Sequence, residues 1–104
     1  MLAEMASRVD DTMERNLAML VVEDDDSLRE ALESTLADSG LRVRGVADGR
    51  QALAAINDSH FDVVLTDVQM PHMDGHELLR RIRRQRPQLP VIMMTAYGSI
   101  ERAV

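Results

Sequence analysis

Three short apolar runs constrain this chain more than any other feature: LAMLVV (17–22), FDVVLT (61–66) and PVIMMT (90–95). Each is mainly aliphatic, too short for a buried helix, and stopped by or ended on a polar residue. That pattern predicts fully buried strands. Segments of helical spacing lie between them. Leu28, Ala31, Leu32, Thr35 and Leu36 predict a first helix, with Asp25 or Asp26 as its N-cap and Gly40 as its stop. RVRGVA (42–47) predicts a weaker edge strand, Asp48-Gly49 a turn, and Ala52, Leu53 and Ile56 a short helix. Leu78, Leu79 and Ile82 predict a helix launched at Asp74-Gly75 and closed by Pro87, and residues 99–104 the start of one more. The order β-α-β-α-β-α-β-(α) predicts an α/β fold: a parallel sheet with helices on both faces and right-handed crossovers.

At 104 residues the chain has room for one small domain. Residues 1–16 are set apart as an N-terminal extension. They are either a loose leader or a short amphipathic helix on Met5, Val9 and Met13; the domain proper runs from 17 to 104. The formal charge of −6 argues against a nucleic-acid surface across the domain. Acids appear early in MLAEMASRVDD, with no apolar stretch of signal-peptide or membrane-spanning length. With no Cys to oxidise, a reducing cytoplasm is expected and no contact with a membrane. Among the basic residues there are 12 Arg and no Lys.

In an open parallel sheet, ligands bind beyond the carboxyl ends of the strands. The buried strands here end at Glu23 and Asp24, at Asp67, and at Thr95. Parallel strands bring those ends to one edge, so three carboxylates and a hydroxyl converge from distant sequence positions. Clustered carboxylates repel, and their pKa values rise unless a cation joins them. A hard divalent ion such as Mg²⁺ suits an all-oxygen site. Carboxylate, metal and hydroxyl together suit phosphoryl transfer, with a carboxylate as the nucleophile. Isolated acids at strand ends are also ordinary caps. Asp74 is read that way, as the N-cap of the following helix rather than a ligand.

The segments VVEDDDSLR, VVLTDVQMPHMDG and PVIMMTAYG, in this order and spacing, resemble the receiver domains of bacterial two-component response regulators. The likeness runs from about Leu17 to Val104. It implies a flavodoxin-like doubly wound sheet of order 2-1-3-4, with the family's fifth strand and last helix missing from this chain. It implies that Asp67 accepts a phosphoryl group from a sensor histidine kinase. Asp24 would ligate Mg²⁺ directly, Glu23 mostly through water, and the backbone carbonyl of Gln69 would add a ligand. Thr95 would be the switch hydroxyl. His72 stands where the family often has Gly. The wording of DVQMPHMDGHELL and MTAYGSIERAV is similar to receivers of sigma-54-dependent transcription activators, flagellar regulators among them. Such proteins continue into ATPase and DNA-binding output domains, neither of which is present in these residues. The family's Lys at the end of the fifth strand has no counterpart here. Without that strand, PVIMMT is expected to form an exposed sheet edge, inviting a homodimer or swapped oligomer.

Other features are read as structural. Arg80, Arg81, Arg83, Arg84 and Arg86 form a solvated helix face, without the interleaved aromatics of a nucleic-acid patch. His72 and His76 straddle a loop-to-helix boundary and do not suggest zinc. The expected role is therefore a phosphoacceptor signalling module rather than an enzyme. The alternatives are a receiver-like interaction module that does not switch, and a Mg²⁺-dependent phosphatase with an aspartate nucleophile.

Overall fold

A computed structural model describes residues 17–94 and 100–103. Strands β1 (Ala18–Val22), β2 (Arg42–Val46), β3 (Val63–Asp67) and β4 (Val91–Met94) alternate with helices α1 (Asp26–Asp38), α2 (Gly49–Asp58) and α3 (Gly75–Gln85). A last strand, β5 (Ile100–Ala103), closes the order β2-β1-β3-β4-β5. The first four strands are mutually parallel, with Val22 level with Val46 and Thr66, and Asp67 level with Met94. The expected α/β sheet of order 2-1-3-4 is therefore present.

Each predicted helix starts where a side chain replaces the missing backbone partner. Asp25 Oδ1 accepts from the N–H of Leu28 at 3.0 Å, Asp48 from Gln51 at 2.8 Å, and Asp74 from Glu77 at 2.9 Å. The Asp48-Gly49 turn is thus an N-cap followed by the first residue of α2. Gly40, at φ 96°, ends the α1 connection in the left-handed region that favours glycine.

The sheet carries a core on each face. On one, Leu20, Val22, Val64, Val91 and Met93 meet Ala52, Ala55 and Ile56 of α2 and Leu78 and Ile82 of α3. On the other, Met19, Val21, Val63 and Leu65 meet Leu36 of α1. Only part of the predicted apolar stripe of α1 is used. Leu36 is buried and Leu32 partly so, but Ala31 and Thr35 are exposed and Leu28 is 45% exposed. Helix α1 lies over β2 and β1 at the sheet margin, where the buried stripe is narrow.

Two expectations about the last residues are corrected. Residues 100–103 form a strand, not a helix, and β4 is not an open edge. β5 pairs antiparallel with β4, Val91 opposite Ala103 and Met94 opposite Ile100. An edge of unpaired N–H and C=O groups is satisfied by whatever chain can reach it. The open fourth strand that suggested a homodimer or swapped oligomer is thus covered from within the chain.

Candidate functional site

The acids converge because β1 and β3 are adjacent and parallel. Val22 and Thr66 are register partners, so Glu23 and Asp67 follow them side by side at the carboxyl edge. Asp24 is the next residue along. One carboxylate oxygen from each of Glu23, Asp24 and Asp67 lies within 4.8 Å of the others. Glu23 is 2% exposed, Asp67 half-buried and Asp24 exposed.

The backbone fixes each acid. The N–H of Glu23 donates to the Val46 carbonyl at 3.1 Å, extending the β1–β2 ladder by one residue. The Glu23 carbonyl accepts from Arg29 Nη1 at 2.9 Å, and the same guanidinium bonds Asp26 Oδ1 through Nη2 at 2.7 Å. Arg29 thereby ties the 23–26 loop to the first turns of α1. On β3, the N–H of Val68 donates to the Met94 carbonyl at 3.1 Å, and the Val68 carbonyl accepts from Gly75 at 2.7 Å. The hydroxyl of Thr66 donates to the Asp67 carbonyl at 3.0 Å, and the N–H of Gln69 reaches Asp67 Oδ1 at 3.4 Å. The loop after Asp67 therefore begins pinned on both sides. It is anchored below by Met70 and Met73, which are buried in the core shared with α2 and α3.

Glu23 carries the main electrostatic signal. Its carboxyl is pushed up from 4.5 to about 7, first by burial and then by the neighbouring carboxylates of Asp67 and Asp24. The N–H of Asp25, donating to Oε2 at 3.0 Å, opposes that rise. The other oxygen, Oε1, is buried and finds no hydrogen-bond partner among the described residues. A buried carboxylate oxygen without a partner, beside two further carboxylates, suits a hard divalent cation. With such an ion bound, the charged form of Glu23 is favoured. The donor set is all oxygen, which fits Mg²⁺ and not a zinc-like site.

Of the residues predicted from the sequence, Glu23, Asp24 and Asp67 come together. Gln69 is exposed next to Asp67. Thr95 lies outside the described residues, as does the 1–16 extension. Asp74 is the N-cap of α3, as predicted. His72 has φ 69°, a left-handed conformation that explains why glycine would suit the position. Arg29 was not anticipated. Its sequence signal is a basic residue three after Asp26 and four before Glu33, spacings that put all three on one helix flank.

The comparisons with known proteins agree with this geometry. The family model "Response regulator receiver domain" matches residues 19–104. The response regulator protein FleR of Pseudomonas aeruginosa is 49% identical over 86 residues, covering 83% of this chain and 18% of the relative. The DNA-binding transcriptional regulator NtrC of Salmonella typhimurium is 45% identical over 84 residues, covering 81% and 18%. Both are regulators, and the chain spans about 18% of their length. Among solved structures, the chemotaxis response regulator CheY4 of Vibrio cholerae superposes with a TM-score of 0.75 at 38% identity, over 81% of this chain and 72% of that one. The response regulator TrrA of Thermotoga maritima, solved in complex with Mg²⁺-BeF, gives a TM-score of 0.75 at 30% identity, over 79% and 71%. The chain belongs to the response-regulator receiver-domain family.

Proposed function

We infer that this chain is a phosphoacceptor module in which Asp67 takes a phosphoryl group from the phosphohistidine of a sensor histidine kinase. An Asp67 carboxylate oxygen attacks phosphorus, the phosphorus–nitrogen bond breaks, and the imidazole leaves and takes up a proton. The observation that carries this reading is the meeting of three carboxylates around the unpartnered Oε1 of Glu23. Glu23, Asp24, Asp67 and the Gln69 carbonyl would hold Mg²⁺, which when bound neutralises charge on the transferring group. The Mg²⁺-BeF complex of TrrA supports that choice of metal.

Phosphorylation would bias a two-state surface, with the Thr95 hydroxyl responding to the phosphoryl oxygens. The output would be transcription activation through ATPase and DNA-binding domains, as the FleR and NtrC relatives suggest. The module would act in the cytoplasm; no described helix is long and apolar enough to cross a membrane.

Borohydride trapping after treatment with acetyl phosphate and Mg²⁺, followed by peptide mapping, tests the assignment. Reduction at Asp67 alone is expected. Label on Asp24, Asp74 or a Ser would overturn it.

A further inference from the structure

Arg29, one turn into α1, has a largely buried side chain, 17% exposed, and three differently placed partners. Nη1 donates to the Glu23 carbonyl at 2.9 Å and Nη2 to Asp26 Oδ1 at 2.7 Å, while Nε lies 3.9 Å from Glu33 Oε1. The contacts with Asp26 and Glu33 are ordinary i,i+3 and i,i+4 pairs of a helix surface. The bond to Glu23 is of another kind. It leaves the helix for the peptide group that joins two members of the acid cluster. That group is planar, with the Cα of Glu23 at one end and the Cα of Asp24 at the other. Holding its oxygen restricts ψ of Glu23 and φ of Asp24, and with them the directions in which both carboxylates leave the backbone.

We propose that Arg29 is a positioning residue of the acid cluster: by holding the Glu23 carbonyl it aims the Glu23 and Asp24 carboxylates at one point, and so sets the affinity for a divalent cation. The inference rests on the reading of that cluster as a Mg²⁺ site. Glu23 is tied at its N–H, to the Val46 carbonyl, and at Oε2, by the N–H of Asp25. Asp24 is exposed, with little packing to direct it. The carbonyl between them is a further fixed point, and a charged donor makes that bond about twice as strong as a neutral one would. A guanidinium suits the task because its rigid fork reaches the carbonyl and Asp26 from one plane, which a single Lys nitrogen cannot do.

The sheet reserves the path of the Arg29 stem. A β-carbon on Gly45 of β2 would collide with the Glu33 carboxylate, 2.6 Å from its Cδ, and lie 3.1 Å from Arg29 Cγ. The bare backbone at Gly45 lets Arg29 and Glu33 lie against β2, from where the guanidinium reaches the end of β1. The sign of the effect separates positioning from charge. Arg29 is a cation beside a cation site, so by repulsion alone its removal would tighten Mg²⁺ binding. A role confined to α1, through Asp26 and Glu33, would change stability and leave the affinity for Mg²⁺ where it was. Positioning predicts weaker binding.

Titration of the full 104-residue chain with Mg²⁺ alone, followed by amide NMR shifts above pH about 7 where Glu23 is ionised, tests this. Arg29→Met is expected to weaken binding about tenfold, the usual loss when a group that orients a metal ligand is removed. In the metal-free protein the Asp25 amide, which donates to Glu23 Oε2, is expected to exchange with solvent about threefold faster in that variant. Gly45→Val keeps every partner of Arg29 and blocks the path of its stem; it is expected to weaken Mg²⁺ binding in the same sense. Unchanged or tighter binding in Arg29→Met, or wild-type affinity in Gly45→Val, would overturn the proposal. A wild type that takes no Mg²⁺ would instead sink the reading of the cluster as a metal site. The Asp25 amide would then decide this proposal, and equal exchange in wild type and Arg29→Met would overturn it.

Discussion

A β-carbon placed on Gly75 would lie 2.6 Å from the carbonyl oxygen of Asp67 and 3.0 Å from Cα of Val68. Helix α3 therefore starts against the backbone that presents the candidate phosphoacceptor. The approach is closed by the Gly75 N–H, which donates to the Val68 carbonyl at 2.7 Å. Both obstructing atoms are backbone, so a larger residue cannot be accommodated by turning a side chain aside.

Gly75→Ala is therefore expected to destabilise, although Ala is the better helix former by about 1 kcal/mol. Forcing an extra carbon into a packed site costs about 1–3 kcal/mol, and that strain outweighs the gain in helix propensity. Urea unfolding should show the loss. Because the Asp67 backbone has to shift, Mg²⁺ binding should weaken as well.

His72 offers the opposite sign. Its φ of 69° costs a non-glycine residue about 1–2 kcal/mol. Glycine removes that strain but gives the unfolded chain more freedom, worth about 0.5–1 kcal/mol. His72→Gly is expected to stabilise by about 0.5–1 kcal/mol, and His72→Val to destabilise. Paired urea midpoints check both.

Neighbouring acids in the EDDD segment should separate by role. Asp24 is exposed and belongs to the carboxylate cluster; Asp25 caps α1 through the N–H of Leu28. Asp25→Ala is expected to cost about 1 kcal/mol of stability, the usual loss of an N-cap. Asp24→Asn should leave stability in place and weaken Mg²⁺ binding about tenfold, equivalent to about 1.4 kcal/mol. Denaturation and metal titration of the two variants, run side by side, test the division.

The pH dependence follows from Glu23. Folded, its carboxyl keeps a proton up to about 7; unfolded, it would lose it at 4.5. Between those values the folded state binds more protons, so this group's contribution to stability is full below 4.5 and is lost as pH rises through about 7. Without metal, Glu23→Gln should remove that slope, and urea midpoints at about pH 5 and about pH 8 would show it. Mg²⁺ takes the deprotonated form, so wild-type affinity should fall as pH drops below about 7.

The acid cluster was legible in the sequence because buried strands must end somewhere. Asp67 and the Glu23-Asp24 pair follow directly after apolar runs. The parallel order then requires those ends to share an edge. The N-caps Asp25 and Asp74 were legible for a similar reason, each acid standing just ahead of a helical period, whereas Asp48 read only as part of a turn. What escaped depends on tertiary contacts. The role of Arg29 rests on a carbonyl, that of Glu23, which no residue pattern displays. Leu28 sits on the predicted stripe yet is exposed, because the position of α1 over the sheet margin decides which part of the stripe is covered. The strand over residues 100–103 owes its form to the open edge of β4 rather than to its own sequence. Asp62 sits inside a predicted strand but precedes β3, and its side chain accepts from the N–H of Ala18 at 2.8 Å.

The central claim is that Asp67 accepts the phosphoryl group in a site assembled with Glu23 and Asp24. Intact-mass spectrometry of wild type, Asp67→Asn and Asp24→Asn after acetyl phosphate, with and without Mg²⁺, tests it most directly. A single phosphoryl group is expected on the wild type with Mg²⁺, none on Asp67→Asn, and little on Asp24→Asn or in the absence of metal. Equal incorporation into Asp67→Asn and wild type would contradict the account.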